Sequence, residues 1–221
     1  MKSPAQYHLE RMQAQTAATG QTRADVSHYA LMLAKLATDR QRLKGIQSLT
    51  RKIDVKRELL PEYEAYVTGA LESAQGVQDD VLTTVMVWRI DIGNYAGALT
   101  IAAYALKHGL TLPNQYERTL VTFVTEQIAE AALTVGESFD LALLTELNML
   151  TEQHDMPDPV RAKLHKALGI VLQANQPDQA LPHYRRAFEL APRCGVKKDI
   201  ERLERQLTVS TPPSGAENTT V

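Results

Sequence analysis

The chain has 221 residues, a formal net charge of −2, 44% hydrophobic residues and only 5% aromatic ones. Its single cysteine, Cys194, excludes an intramolecular disulfide and a cysteine-based zinc site. No run of about 18 apolar residues occurs, so no membrane span is predicted. MKSPAQYHLE lacks the apolar core of a signal peptide, and the expected compartment is a reducing cytoplasm.

The near-zero net charge hides strong segregation. Residues 1–57 carry 11 basic and 4 acidic side chains, residues 58–160 carry 3 and 16, and residues 161–221 carry 10 and 6. Two arrangements account for this pattern. The basic ends meet an anionic partner, or they dock on the acidic middle within one fold.

In chain order, Ser3-Pro4 is a helix start signal, Gly20 is a break, and Asp25 is placed to cap the next helix. From Val26 to Leu60 apolar residues recur at helical spacing, among them Tyr29, Leu36, Leu43, Ile46, Leu49 and Ile53. This predicts one long amphipathic helix, coiled-coil-like but with Asp39 and Thr50 on its seam. Gly45 inside it costs about 1 kcal/mol relative to alanine and marks a possible bend. Pro61 ends or kinks this helix. A short helix follows, closed near Gly76.

Asp79-Asp80 opens a helix that is apolar around most of its circumference and is expected to be buried. Gly93-Asn94 is a turn, and an Ala-rich helix then ends at Lys107, His108 and Gly109. Further helices are predicted over 115–135, 141–153, 160–174, 178–192 and 196–207. Residues 160–192, and less closely 87–113, follow the outline of a tetratricopeptide unit. The expected fold is all-α: a long N-terminal basic helix, then antiparallel helical hairpins that are partly tetratricopeptide-like. Residues 208–221 read as a disordered tail.

The polar face of the long helix carries the clearest binding signal. Lys35, Arg40, Arg42, Lys44, Arg51, Lys52, Lys56 and Arg57 face only two acids, Asp39 and Asp54, between residues 35 and 57. Cations at this spacing track phosphates and give salt-dependent affinity with little sequence preference. A solvated coiled-coil face is the plainer reading of the same residues.

Catalytic signals are weaker. A metal-dependent nuclease needs convergent carboxylates, for which Glu58, Glu62, Asp79, Asp80 and Asp91 are the candidates. Asp80 and Asp91 are about 16 Å apart along their helix, too far to share one metal site. Helix-end charge explains Asp79 and Asp80 equally well, and a pairing with Arg89 explains Asp91. The six histidines form no close pair in sequence and no HExxH motif, and no phosphate loop of the GxxxxGK[ST] type is present. Catalytic and metal-binding residues therefore stay unassigned.

Three long blocks carry a resemblance: Leu82 to Pro113, Met156 to Gly169, and Gly195 to Leu207. With MKSPAQ and the stretch from Lys56 to Glu72, they resemble the phage small terminase subunit family, whose members in temperate enterobacterial tailed phages are called terminase endonuclease subunits. The resemblance implies recognition of the cohesive-end site on double-stranded phage DNA. It also implies work with a large ATPase subunit and the prohead, in the infected host cell.

On this reading residues 1–60 bind DNA and form a homo-oligomer, while residues 61–207 contact partner subunits. The chain binds no cofactor of its own. A second hypothesis makes the chain itself the endonuclease, with Mg²⁺ held by carboxylates between Glu58 and Asp91. A third is a helical adaptor that binds only protein.

Overall fold

The computed structural model describes residues 23–114 and 116–210. Every regular element among them is helical, so the fold is all-α. The chain divides into two compact units after Leu120. The basic N-terminal helices thus belong to the same unit as the first part of the acidic stretch that follows them.

The first unit contains α1 (Arg23–Lys44), α2 (Leu49–Leu59), a 3₁₀ turn (Leu60–Tyr63), α3 (Glu64–Ser73), α4 (Asp80–Asp91) and α5 (Tyr95–Lys107). Helix α4 is the buried helix that its sequence predicts: every residue from Val81 to Ile90 is buried. Asp79 caps it by accepting the Leu82 amide at 2.8 Å. Helix α1 packs on α4, burying Tyr29, Leu36 and Leu43. Pro61 does turn the chain, through the 3₁₀ segment, and this puts Tyr63 edge-on to Trp88 with ring centroids 5.8 Å apart. Gly93, at φ +83°, reverses the chain into α5. Asn94 then caps α5 by accepting the Gly97 amide at 3.0 Å.

The second unit contains α6 (Leu120–Val135), a 3₁₀ turn (Gly136–Ser138), α7 (Leu141–Thr151), α8 (Asp158–Leu172), α9 (Pro177–Leu190) and α10 (Lys197–Ser210). The four-residue turn between α8 and α9 makes them an antiparallel hairpin. Gly169 lets them come close: a Cβ there would lie 2.6 Å from the Tyr184 ring. Helix α10 packs on α9 and buries Leu203. Lys163 of α8 bridges Glu126 and Glu130 of α6, at 2.9 and 2.6 Å.

Several boundaries differ from those expected. The long N-terminal helix is broken: α1 stops at Lys44 and α2 begins at Leu49. Ser48 caps α2, its hydroxyl accepting the Arg51 amide at 3.3 Å. The glycine and the capping serine together outweigh the apolar periodicity that runs through them. Leu49, counted in that periodicity, is 76% exposed, whereas Val55 and Leu59 are buried.

Asp25 lies inside α1 rather than at its cap. Helix α6 starts at Leu120, not near 115, because the residues just before it are polar and exposed while Leu120 begins the buried stripe. Helix α10 runs on to Ser210 and takes in the first three residues of the expected tail. The expected start at Ser3-Pro4, the break at Gly20 and the rest of the tail lie outside the described residues.

Candidate nucleic-acid interface

The eight basic residues between 35 and 57 are positioned by α1, α2 and the break between them, and they do not form one uniform face. Three hold the fold together. Lys35 reaches Asp39 at 2.7 Å and Glu62 at 2.9 Å, and its ammonium lies 4.6 Å from the centre of the Tyr63 ring. Burial pulls its pKa down, but the hydrogen bonds to Asp39 and Glu62 outweigh this and raise it above the ordinary lysine value. Arg40 crosses to α4 and donates to the Thr84 hydroxyl at 2.6 Å. Its Nε is buried and unpaired. Lys56 pairs with Asp91 at 2.5 Å and ties α2 to the end of α4.

The other five lie toward solvent. Arg42 meets Glu58 at 2.9 Å, Arg51 meets the same carboxylate at 3.5 Å, and Arg57 meets Asp54 at 3.1 Å. All of these side chains are between 45% and 56% exposed. Such pairs contribute only about 0.2–1 kcal/mol, so a phosphate can replace the carboxylate at little cost. Lys44 and Lys52 form no ion pair among the described residues. Arg51 and Lys52 also occupy the first turn of α2, which has no acidic residue. The helix dipole disfavours cations there and favours anions.

The docking of basic residues on the acidic stretch is present within the first unit, and it uses only part of the positive charge. Lys35, Arg42 and Lys56 dock on Glu62, Glu58 and Asp91 of the acidic stretch, while Lys44, Arg51 and Lys52 stay available at the α1–α2 break. Gly45 signalled a bend in the sequence, and the structure makes it a full helix break. The withdrawal of Lys35, Arg40 and Lys56 was not legible in the sequence, because Glu62, Thr84 and Asp91 lie far along the chain in later elements.

The candidate metal ligands do not converge. Glu58, Glu62 and Asp91 are tied to the cations just described. Arg89, expected beside Asp91, instead donates to Glu64 at 2.6 Å and to the Gly97 carbonyl at 2.8 Å. Asp80 accepts from the Gln78 amide at 3.0 Å. Asp79 caps α4 and accepts from the Tyr66 hydroxyl. Burial pushes the Asp79 carboxyl up to about 6, against the pull of these hydrogen bonds.

Beside Asp79 lies a cavity of about 200 Å³ lined by His28, Tyr29, Tyr66 and Tyr104. Its three tyrosine hydroxyls are engaged at the α3–α4 junction: Tyr66 donates to Asp79, Tyr29 accepts the Asp80 amide at 3.4 Å and Tyr104 accepts the Gly76 amide at 2.9 Å. Among the described residues no group of three or more His, Cys, Asp or Glu is placed to hold a metal ion. Nor is any described helix long and apolar enough to cross a membrane.

The model of the phage small terminase subunit family matches residues 33–159, which span α1 to the start of α8. The chain belongs to that family. It is 49% identical, over 220 residues, to the "Terminase, endonuclease subunit" of Escherichia phage P2, covering 96% of this chain and 89% of that one. It is 27% identical, over 192 residues, to the "Probable terminase, endonuclease subunit" of Haemophilus phage HP1, covering 79% and 68%. No solved structure matches the chain. In this small terminase subunit the family match contains all eight basic residues between 35 and 57 as well as the buried helix α4.

Proposed function

We propose that this small terminase subunit recognises double-stranded phage DNA at the cohesive-end site. There it works with the large ATPase subunit to cut the genome and package it into proheads within the host cytoplasm. The observation that carries the reading is the grouping of Lys44, Arg51 and Lys52 at the α1–α2 break. They are free or weakly paired, and two of them stand at a helix end that favours anions. Arg42 and Arg57 extend the face by exchanging Glu58 and Asp54 for phosphates.

Self-association through Leu31 and Leu49, which are 67% and 76% exposed on α1 and α2, belongs to the same reading. It would place several such faces on one assembly and raise avidity without new contacts.

Both relatives are named as endonuclease subunits. The carboxylates of this chain support that role less well, because each candidate ligand holds a cation, a hydroxyl or a helix end. We therefore place cutting in the complex with the large subunit, with Mg²⁺ required there.

A gel-shift titration of the full chain on cohesive-end DNA tests the reading, with and without the large subunit and Mg²⁺. Retarded DNA without the large subunit, and cleavage only with it, are expected. Absence of any shift at low salt overturns DNA recognition. Mg²⁺-dependent cleavage by the lone chain overturns the division of labour.

A further inference from the structure

The second unit contains cations that the DNA-binding reading does not use. The turn between α9 and α10 carries Arg193, and α10 opens with Lys197 and Lys198. All three side chains are exposed, and none of them forms an ion pair among the described residues. A fourth cation is built into the same turn from α8. The Lys166 ammonium donates to the Cys194 carbonyl at 2.7 Å and lies 3.8 Å from where a Cβ on Gly195 would be. It too has no carboxylate partner among the described residues. The neighbouring Arg185, Arg186 and Arg202 are paired with Glu204, Glu189 and Asp199, whereas the cations at the turn have no such partner among the described residues.

Four cations from three chain segments gather at this turn and repel one another, while the acid in the first turn of α10, Asp199, is taken up by Arg202. An external anion relieves that repulsion. The chemistry of the turn narrows the partner. Residues 191–196 (APRCGV) contain no aromatic side chain on which an unpaired base could stack. The single branched apolar residue there, Val196, is fully buried, so the turn has no apolar centre for a dry protein interface. A row of phosphates needs neither feature.

We propose that Lys166, Arg193, Lys197 and Lys198 form a second contact for the phosphate backbone of duplex DNA, on the C-terminal unit. This rests on the reading that the chain binds duplex DNA, and it adds a site outside α1 and α2. The turn supplies affinity and no sequence preference, since phosphate contacts position a protein without reading bases.

The test compares three full-length proteins on a short mixed-sequence duplex over a range of salt concentrations. They are the wild type, R193Q/K197Q/K198Q and K44Q/R51Q/K52Q. Lys166 is left intact because it holds the turn. Each phosphate contact contributes about 0.9 to the slope of log affinity against log salt. The turn variant should therefore show a slope shallower by about 2.7 and low-salt binding weaker by about tenfold or more, with its melting curve unchanged.

A turn variant that binds with wild-type affinity and slope overturns the proposal. If K44Q/R51Q/K52Q then loses binding, the DNA reading stands without it. A turn variant that binds DNA normally but no longer co-purifies with the large subunit also overturns it, and assigns the cluster to an acidic protein surface. A wild type that fails to shift DNA at all overturns the underlying reading instead.

Discussion

The Tyr63 hydroxyl donates to Asp39 at 2.6 Å inside the first unit, where Tyr63 is fully buried and Asp39 is 7% exposed. Asp39 is the acid that interrupts the apolar seam of α1, and the tyrosine comes from the 3₁₀ turn after Pro61. Lys35 donates to the same carboxylate oxygen, so the seam's defect is a satisfied polar node joining α1 to the turn. The contact also pushes the tyrosine pKa well above its ordinary value, chiefly through burial and then through Asp39 itself.

Removing either side of that node should be unequal. Tyr63→Phe deletes one charge-assisted hydrogen bond and leaves Lys35 to satisfy the carboxylate, at about 1.5–3 kcal/mol. Asp39→Ala strands a buried hydroxyl and frees Lys35, so it should cost more than Tyr63→Phe. Urea unfolding of the two variants checks the order. Equal midpoints would contradict it.

Two glycines on helices make an opposed pair. At Gly169 a Cβ would meet the Tyr184 ring at 2.6 Å, whereas at Gly69 nothing lies within 4 Å. Gly169→Ala should destabilise the protein by about 1–3 kcal/mol through overpacking. Gly69→Ala should stabilise it by up to about 1 kcal/mol through helix propensity. Thermal melts of the two single variants distinguish these signs directly.

The contrast between these nodes explains what could be read without coordinates. Helix α4 was legible because its apolar residues surround it, which only a buried helix tolerates. Asp39 was legible as an irregularity, but its partner Tyr63 lies 24 residues on, beyond any helical period. The basic face was legible as charge and misleading as geometry. Lys35, Arg40 and Lys56 look like the other cations in sequence, and only their neighbours Glu62, Thr84 and Asp91 withdraw them from solvent. The turn from Arg193 to Lys198 was legible as three cations around Cys194, but its fourth, Lys166, comes from a different helix and was not.

Acid should act on the two units with opposite signs. Asp79 has its pKa raised from 3.8 to about 6, mainly by burial. Between those values the folded state holds a proton that the unfolded state releases. Stability from this group thus rises as pH falls through 6 toward 3.8. His165 stacks on His183, with Nδ1 atoms 3.0 Å apart.

Burial, then the charges of His183, Arg161 and Arg186, pull the His165 pKa down from 6.5 to about 4. There the unfolded state takes up the proton that the folded state refuses, so stability falls as pH drops from 6.5 toward 4. Asp79→Asn should therefore gain less, or lose more, on acidification than the wild type, and His165→Gln should lose less. Denaturant midpoints at pH 7 and pH 5 measure both. The same pH response in both variants would contradict the assignment.

The cations of α1 and α2 should separate cleanly into those that hold the fold and those that hold DNA. Arg40 donates to Thr84 from a site where its Nε is already buried without a partner. Truncating it to Arg40→Ala removes the anchor between α1 and α4, and should lower stability by about 1–3 kcal/mol. It should leave the salt dependence of DNA binding unchanged under conditions where the variant is folded.

Lys44→Gln and Lys52→Gln should do the reverse. Exposed or half-exposed and without ion pairs among the described residues, they contribute little to folding, so melting temperatures should stay at the wild-type value. Each should make the salt slope shallower by about 0.9. Measuring both quantities on the same three variants is decisive. A shallower slope in Arg40→Ala, or a lowered melting temperature in Lys44→Gln, would mean that the division drawn from the ion pairs does not describe how the face works.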